Sequence, residues 1–167
     1  GLDCMIYHPD RKLSMIDIGE IAKEWVNRHG INIIYIDQLS KIRHQRAQTM
    51  REMMGHSVGA CKDLAVSLGI PVVLLVQQRR HADGKITPPQ LDQIKETGNI
   101  EEDADIILMP WRPDSEGATG RSINFKNRDV PADGNMFIYC RKYRSGQPWA
   151  DYLPFDGQTM TVGRARA

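Results

Sequence analysis

Four short stretches hold side chains whose type and position could do chemistry. In Ile33-Ile34-Tyr35-Ile36-Asp37, a β-branched run ends in a carboxylate. If that run is a strand of a parallel sheet, Asp37 stands at the sheet's carboxyl edge, where open α/β folds bind their ligands. A carboxylate there can hold Mg²⁺ beside a nucleotide; one that merely opens a turn is the other reading. Gln77 follows a second apolar run, Pro71–Val76. Its amide could touch a terminal phosphate or an attacking water, or could simply cap backbone groups. A third stretch, Arg141-Lys142-Tyr143-Arg144-Ser145-Gly146-Gln147, runs from a strand into a turn. Lys142 and Arg144, two apart, fall on one side of an extended chain and suit a polyphosphate, although a solvated basic turn has the same composition. The fourth is Ile94-Lys95-Glu96-Thr97-Gly98-Asn99-Ile100-Glu101-Glu102-Asp103-Ala104-Asp105. Gly98 lets backbone come close to a phosphate, and Asn99 with Glu102 three residues on resembles a helix cap. By composition alone this stretch passes for a solvated helix start.

These residues need elements to hold them. Cys4–Tyr7 reads as a strand before His8-Pro9-Asp10. Ser14 sits where an N-cap belongs; Ile18, Ile21, Ala22, Trp25 and Val26 recur at helical spacing, and Gly30 stops the helix. Ile31–Ile36 is apolar on both faces, the pattern of a strand inside a parallel sheet. Residues 45–68 read as mostly helical, weakened at Gly55 and Gly59 and closed by Gly69. Pro71–Val76 predicts a third buried strand, 77–89 a loop, 91–105 a polar stretch and Ile106–Met109 a further strand. After Pro110 the segments shorten, around Ser122–Lys126, Met136–Arg141, Trp149–Pro154 and Met160–Val162. Turn signals such as Asp133-Gly134-Asn135, Ser145-Gly146 and Asp156-Gly157 separate them, so they read as hairpins. The expected architecture is α/β: a mostly parallel sheet flanked by helices, with antiparallel hairpins at the C-terminal side. One domain is expected, with a core over 3–110 and an antiparallel extension over 119–163.

Composition sets outer bounds. The chain has 167 residues, 41% of them hydrophobic, enough for one domain with a real core. A formal net charge of +1 gives no global basic field, so any nucleic-acid contact must come from local basic patches. No apolar run approaches the roughly 18 residues of a membrane span, and Asp3, His8, Asp10 and Arg11 break up any signal-peptide pattern. Cys4, Cys61 and Cys140 are odd in number and far apart, which fits reduced thiols in a cytoplasmic protein better than disulfides or zinc.

Taken in order, the four stretches resemble the RecA-type motor domain of DnaB-type replicative DNA helicases. The resemblance runs from about Ile31 to Gln147 and more loosely to the ends. Ile33–Leu39 looks like the family's Walker B strand, with Asp37 in the metal-binding place. Leu75-Val76-Gln77-Gln78-Arg79-Arg80 is similar to Leu-Ser-Gln-Leu-Asn-Arg, with Gln77 as γ-phosphate sensor. Ile94–Leu108 resembles a family segment nearly residue for residue, and no general rule of α/β proteins predicts such a string. In the family that segment lies on a channel loop touching the DNA backbone, which implies DNA contacts for Lys95, Glu96 and Gly98, with Arg79 and Arg80 as further candidates. Lys142-Tyr143-Arg144-Ser145-Gly146 resembles Lys-Asn-Arg-Asn-Gly, whose cations reach the neighbouring subunit's nucleotide. The resemblance thus implies Arg144 as arginine finger and Lys142 as its companion. It implies ATP and Mg²⁺ as cofactors. Single-stranded DNA, copies of the same chain in a hexameric ring, a helicase loader and primase would be the partners.

The chain also departs from the pattern. No Gly-x-x-x-x-Gly-Lys-Ser/Thr occurs; Gly84-Lys85 is followed by Ile86. The family's phosphate loop and catalytic glutamate lie upstream of the matching part. Backbone N–H groups and the loop lysine supply most of the nucleotide grip in such sites. The chain by itself is therefore expected to bind ATP weakly or not at all and to hydrolyse none. Val76 stands for a family serine and Arg79 for asparagine or serine. Residues 43–54, rich in Arg and Met, read either as a channel-facing basic loop or as a solvated helix. Two other functional readings fit: a RecA- or KaiC-like ATPase, and a non-catalytic module that binds a replication partner or DNA without ATP.

Overall fold

A computed structural model describes residues 4–43, 49–78, 86–94 and 98–163. The chain divides into two compact units, Gly1–Gln77 with Gly98–Asp103, and Gln78–Thr97 with Ala104–Ala167.

The first unit begins with helix α1, Met15–His29. Ser14 caps it: its Oγ accepts from the Asp17 N–H at 3.2 Å. The Asp17 carboxylate in turn accepts from the Ser14 N–H at 2.7 Å. Both otherwise orphaned donors are thereby satisfied. Gly30 ends the helix at φ 62°, a left-handed conformation that costs glycine little. Strand β1 is Ile34–Ile36, and a short 3₁₀ turn follows at Leu39–Lys41. Helix α2 is Met50–Leu68, and strand β2 is Val72–Leu74. β1 and β2 run parallel, with Ile34 opposite Val72 and Ile36 opposite Leu74, and α2 is their crossover. α2 passes unbroken through Gly55 and Gly59. Its cap is Thr49, whose Oγ1 accepts from the Glu52 N–H at 3.2 Å. Ile36, Leu39, Ile42, Val58, Cys61 and Leu64 are buried. Helix α3, Gly98–Asp103, completes the unit, and Asn99 lies within it.

Two expectations fail in this unit. Cys4–Tyr7 is not a strand: among the described residues no strand runs beside it to take up its backbone hydrogen bonds. Tyr7 instead sets its ring edge-on to Trp25, centroids 6.2 Å apart. The parallel sheet has two strands among the described residues, not the several that the apolar runs predict. One of its faces is open, with Tyr35 65% exposed and Val73 and Leu75 also exposed, so β1 and β2 are not buried on both sides.

The second unit is antiparallel. Strands β3 (Ile106–Trp111), β6 (Asn135–Tyr143), β7 (Trp149–Asp156) and β8 (Thr161–Val162) form one sheet in the order β3-β6-β7-β8. β4 (Ser122–Phe125) and β5 (Arg128–Pro131) form a separate hairpin. It closes on Lys126 and Asn127, both at positive φ, the backbone twist a two-residue hairpin requires. One sheet face carries Met109, Trp111, Phe137 and Tyr139, all buried. Phe125 of β4 packs on Phe137 with centroids 5.5 Å apart. The expected hairpins are present in β4–β5, β6–β7 and β7–β8. The strand at Ile106, however, belongs here and not to the parallel sheet. It pairs antiparallel with β6, Trp111 opposite Phe137, and its burial alternates strictly along the chain. That alternation marks a strand with one face packed, which the unbroken apolar letters Ile106–Trp111 conceal.

No described helix is long and apolar enough to cross a membrane.

Candidate functional site

In the first unit, Asp37 directly follows β1 and is exposed. The pairing continues past the strand ends: the Leu75 N–H donates to the Ile36 carbonyl at 3.0 Å, and the Leu39 N–H to the Leu75 carbonyl at 3.1 Å. These bonds keep the chain after β1 beside the chain after β2. Asp37 therefore lies at the carboxyl end of one parallel strand, and Gln77, also exposed, lies just beyond the carboxyl end of its neighbour. Sequence and structure agree on this edge, where parallel sheets place ligands. Among the described residues no group of three His, Cys, Asp or Glu side chains comes together. A cation at Asp37 would therefore have few protein carboxylates among the described residues and take its other oxygens from phosphates and water. That donor set suits Mg²⁺, which commonly binds one or two carboxylates together with substrate phosphates.

In the second unit, Lys142 lies in β6 opposite Ile107, and Arg144 is the first residue past the strand. The register slips between Ile107 and Leu108, which face Lys142 and Cys140 respectively, so Arg141 is an extra residue on β6. Such a bulge re-aims the side chains that follow it. The Arg141 guanidinium lies 4.5 Å over the Tyr139 ring, and its Nε donates to the Pro89 carbonyl at 2.8 Å. It is thus a structural cation. The Gly146 N–H donates to the Tyr143 carbonyl at 3.2 Å, making Tyr143–Gly146 a tight turn with Arg144 at its second position. Arg144 is therefore carried on the tip of the β6–β7 hairpin. It makes two bonds to one residue: its N–H donates to the Asp105 carbonyl at 2.8 Å, and its Nε lies 3.2 Å from Asp105 Oδ1. Residue types alone give no hint of this partnership. Asp105 ends the acidic stretch, and the signal that could have singled it out is its place immediately before a strand.

Gln78 forms an isolated bridge with Ile94. Gly98 begins α3. Lys95, Glu96, Arg79 and Arg80 lie outside the described residues. Burial pushes the Cys61 thiol up to about 11, which keeps it protonated and a poor nucleophile near neutral pH.

The comparisons extend over nearly the whole chain. Residues 3–163 match the family model described as DnaB-like helicase C terminal domain. The replicative DNA helicase DnaB of Leifsonia xyli subsp. xyli is 24% identical over 158 residues, 93% of this chain and 32% of that protein. The replicative DNA helicase DnaB of Treponema pallidum is 32% identical over 120 residues, 71% of this chain and 27% of that protein. This chain thus spans about a third of the length of the first of these relatives and less of the second. A solved DnaB-like replicative helicase, described with its interactions with primase, superposes with a TM-score of 0.77 at 21% identity, over 92% of this chain and 36% of the other. A second solved structure, an isolated ATPase domain, superposes with the same score and identity, over 92% of this chain and 52% of the other.

Proposed function

As this chain belongs to the DnaB-like helicase C-terminal domain family, we propose that it is the C-terminal part of an ATP-dependent replicative DNA helicase motor. In this reading the motor forms a ring, hexameric by family likeness, that holds Mg-ATP between subunits and grips single-stranded DNA in its channel. The observation that carries the reading is the split of the candidate residues. Asp37 and Gln77 stand at the carboxyl edge of parallel strands, while Arg144 stands on a hairpin tip in the other unit. An edge suits binding one's own nucleotide, and a cation on a projecting turn suits reaching a neighbour's.

Asp37 would hold Mg²⁺, which when bound draws charge from the β- and γ-phosphates. Gln77, beyond the adjacent strand, would hydrogen-bond the γ-phosphate or the water that attacks it. From the next subunit, Lys142 and Arg144 would stabilise the charge that builds on the phosphoryl group. Lys95, Glu96 and Gly98, with Arg79 and Arg80, would meet DNA phosphates, giving binding that weakens with salt and ignores sequence. Primase and a helicase loader would be partners of the assembled ring.

Subunit mixing tests this reading in the protein that contains the chain. Asp37→Asn and Arg144→Ala subunits, each inactive alone, are combined and assayed for DNA-stimulated ATP hydrolysis. Mixed rings contain interfaces that join an intact Asp37 to an intact Arg144, so activity is expected to return. Full activity in Arg144→Ala alone would remove the finger assignment.

A further inference from the structure

We propose that Asp105 is the positioning residue for Arg144. The inference rests on the reading of Arg144 as a finger. Two bonds between one pair of residues do different things. The backbone bond, Arg144 N–H to Asp105 carbonyl at 2.8 Å, extends the β3–β6 pairing of Ile106 with Tyr143 by one step and fixes where Arg144 starts. The ion pair, Arg144 Nε to Asp105 Oδ1 at 3.2 Å, then selects among the side chain's conformations. A long side chain on a tight turn has many conformations to lose. Restricting them before nucleotide arrives lowers the entropic cost of reaching it.

The pair is half-exposed on both sides, 51% for Arg144 and 48% for Asp105. An ion pair in that setting holds only weakly. It can orient the guanidinium and still yield it to a phosphate, which a buried pair could not do. The ion pair is made at Nε, so Asp105 takes hold of the guanidinium at least near its base. Asp105 also lies two residues past the end of α3 and closes the stretch that contains Lys95, Glu96 and Gly98.

The test uses the ring-forming protein that contains this chain and measures kcat and KM for ATP with saturating single-stranded DNA. Asp105→Asn is expected to lower kcat about three- to tenfold with KM within about twofold, the pattern of an interaction made in the transition state. Asp105→Glu, which keeps the charge, is expected to recover most of the loss. The thermal midpoint of both variants is expected to stay within about 2 °C of the parent, since a surface pair carries little stability. A kcat in Asp105→Asn within twofold of the parent overturns the proposal. So does a loss of kcat that tracks a fall in thermal midpoint and is not recovered by glutamate. Arg144→Ala, run beside them, separates the two readings. If it retains parental kcat, the finger assignment fails and this inference with it; if it loses activity while Asp105→Asn does not, the inference alone fails.

Discussion

A β-carbon added at Gly146 would stand 2.8 and 2.9 Å from two carbons of the Tyr143 ring, closer than real side chains come. That ring lies across the turn whose second residue is Arg144. The glycine in Lys142-Tyr143-Arg144-Ser145-Gly146 is thus explained by a close approach, not by positive φ. Gly146→Ala must push the Tyr143 ring aside. Because the ring is 39% exposed it can move, so the cost in stability is expected near the lower end of overpacking, about 1 kcal/mol. Arg144 shares the turn, so DNA-stimulated hydrolysis in the parent protein is expected to fall more than stability does. Chemical denaturation and steady-state kinetics on the same variant check both; unchanged kinetics would mean the turn tolerates the shift. Asp37, Gln77, Lys142 and Arg144 were all legible as residues because their types and their places after apolar runs are local facts. Asp105 was not, since its partner Arg144 is remote in sequence and only folding brings the two together.

At the scale of elements, the helix ends illustrate how short-range chemistry sets boundaries. Asp17 is held down to about 2 by the Ser14 hydroxyl and N–H and by the Arg11 guanidinium, against an ordinary 3.8. The folded value lies below the unfolded one. The stabilisation from the ionised cap is therefore complete above pH 3.8 and fades as pH falls toward 2. Asp17→Asn is expected to flatten that part of the acid limb, read by circular dichroism across the titration. Ser14→Ala removes the hydroxyl cap and is expected to cost about 1 kcal/mol. Ser14, Gly30 and Gly69 could be read from sequence because caps depend on neighbours three or four residues away. Thr49-Met50-Arg51-Glu52 carries the same capping-box signal, and it sets the start of α2. Cys4–Tyr7 is apolar yet not a strand, because four apolar residues do not make one unless another chain segment takes their hydrogen bonds.

For the whole molecule, residues 3–163 match the family model, while the 167 residues contain no phosphate-loop motif. Without the backbone N–H cradle and lysine of such a loop, Asp37 and Gln77 offer a nucleotide little attraction. The isolated chain is therefore expected to bind Mg-ATP too weakly for titration calorimetry to measure, and to release no phosphate with or without single-stranded DNA. Micromolar binding by the isolated chain would require a nucleotide site built from other residues. Tyr35, Val73 and Leu75 leave one side of the parallel pair exposed, and Leu108, Pro110 and Trp149 of the antiparallel sheet are also exposed.

The residue string by itself determined whatever depends on near neighbours: the caps of α1, the glycine stops, the hairpins after Pro110 and the motif order that carries the family. It also placed Asp37 and Gln77 after strands, since an apolar run followed by a polar residue is a local pattern. Tertiary structure alone decided the rest. Ile106–Trp111 could have joined either sheet, for a continuous apolar run satisfies a buried parallel strand and a one-faced antiparallel strand equally well. Its choice of β6 was set by hydrogen bonds and by aromatic packing of Trp111 on Phe137, with ring centroids 5.6 Å apart. Those contacts join residues distant in sequence, where no short-range preference of either segment can specify the pairing.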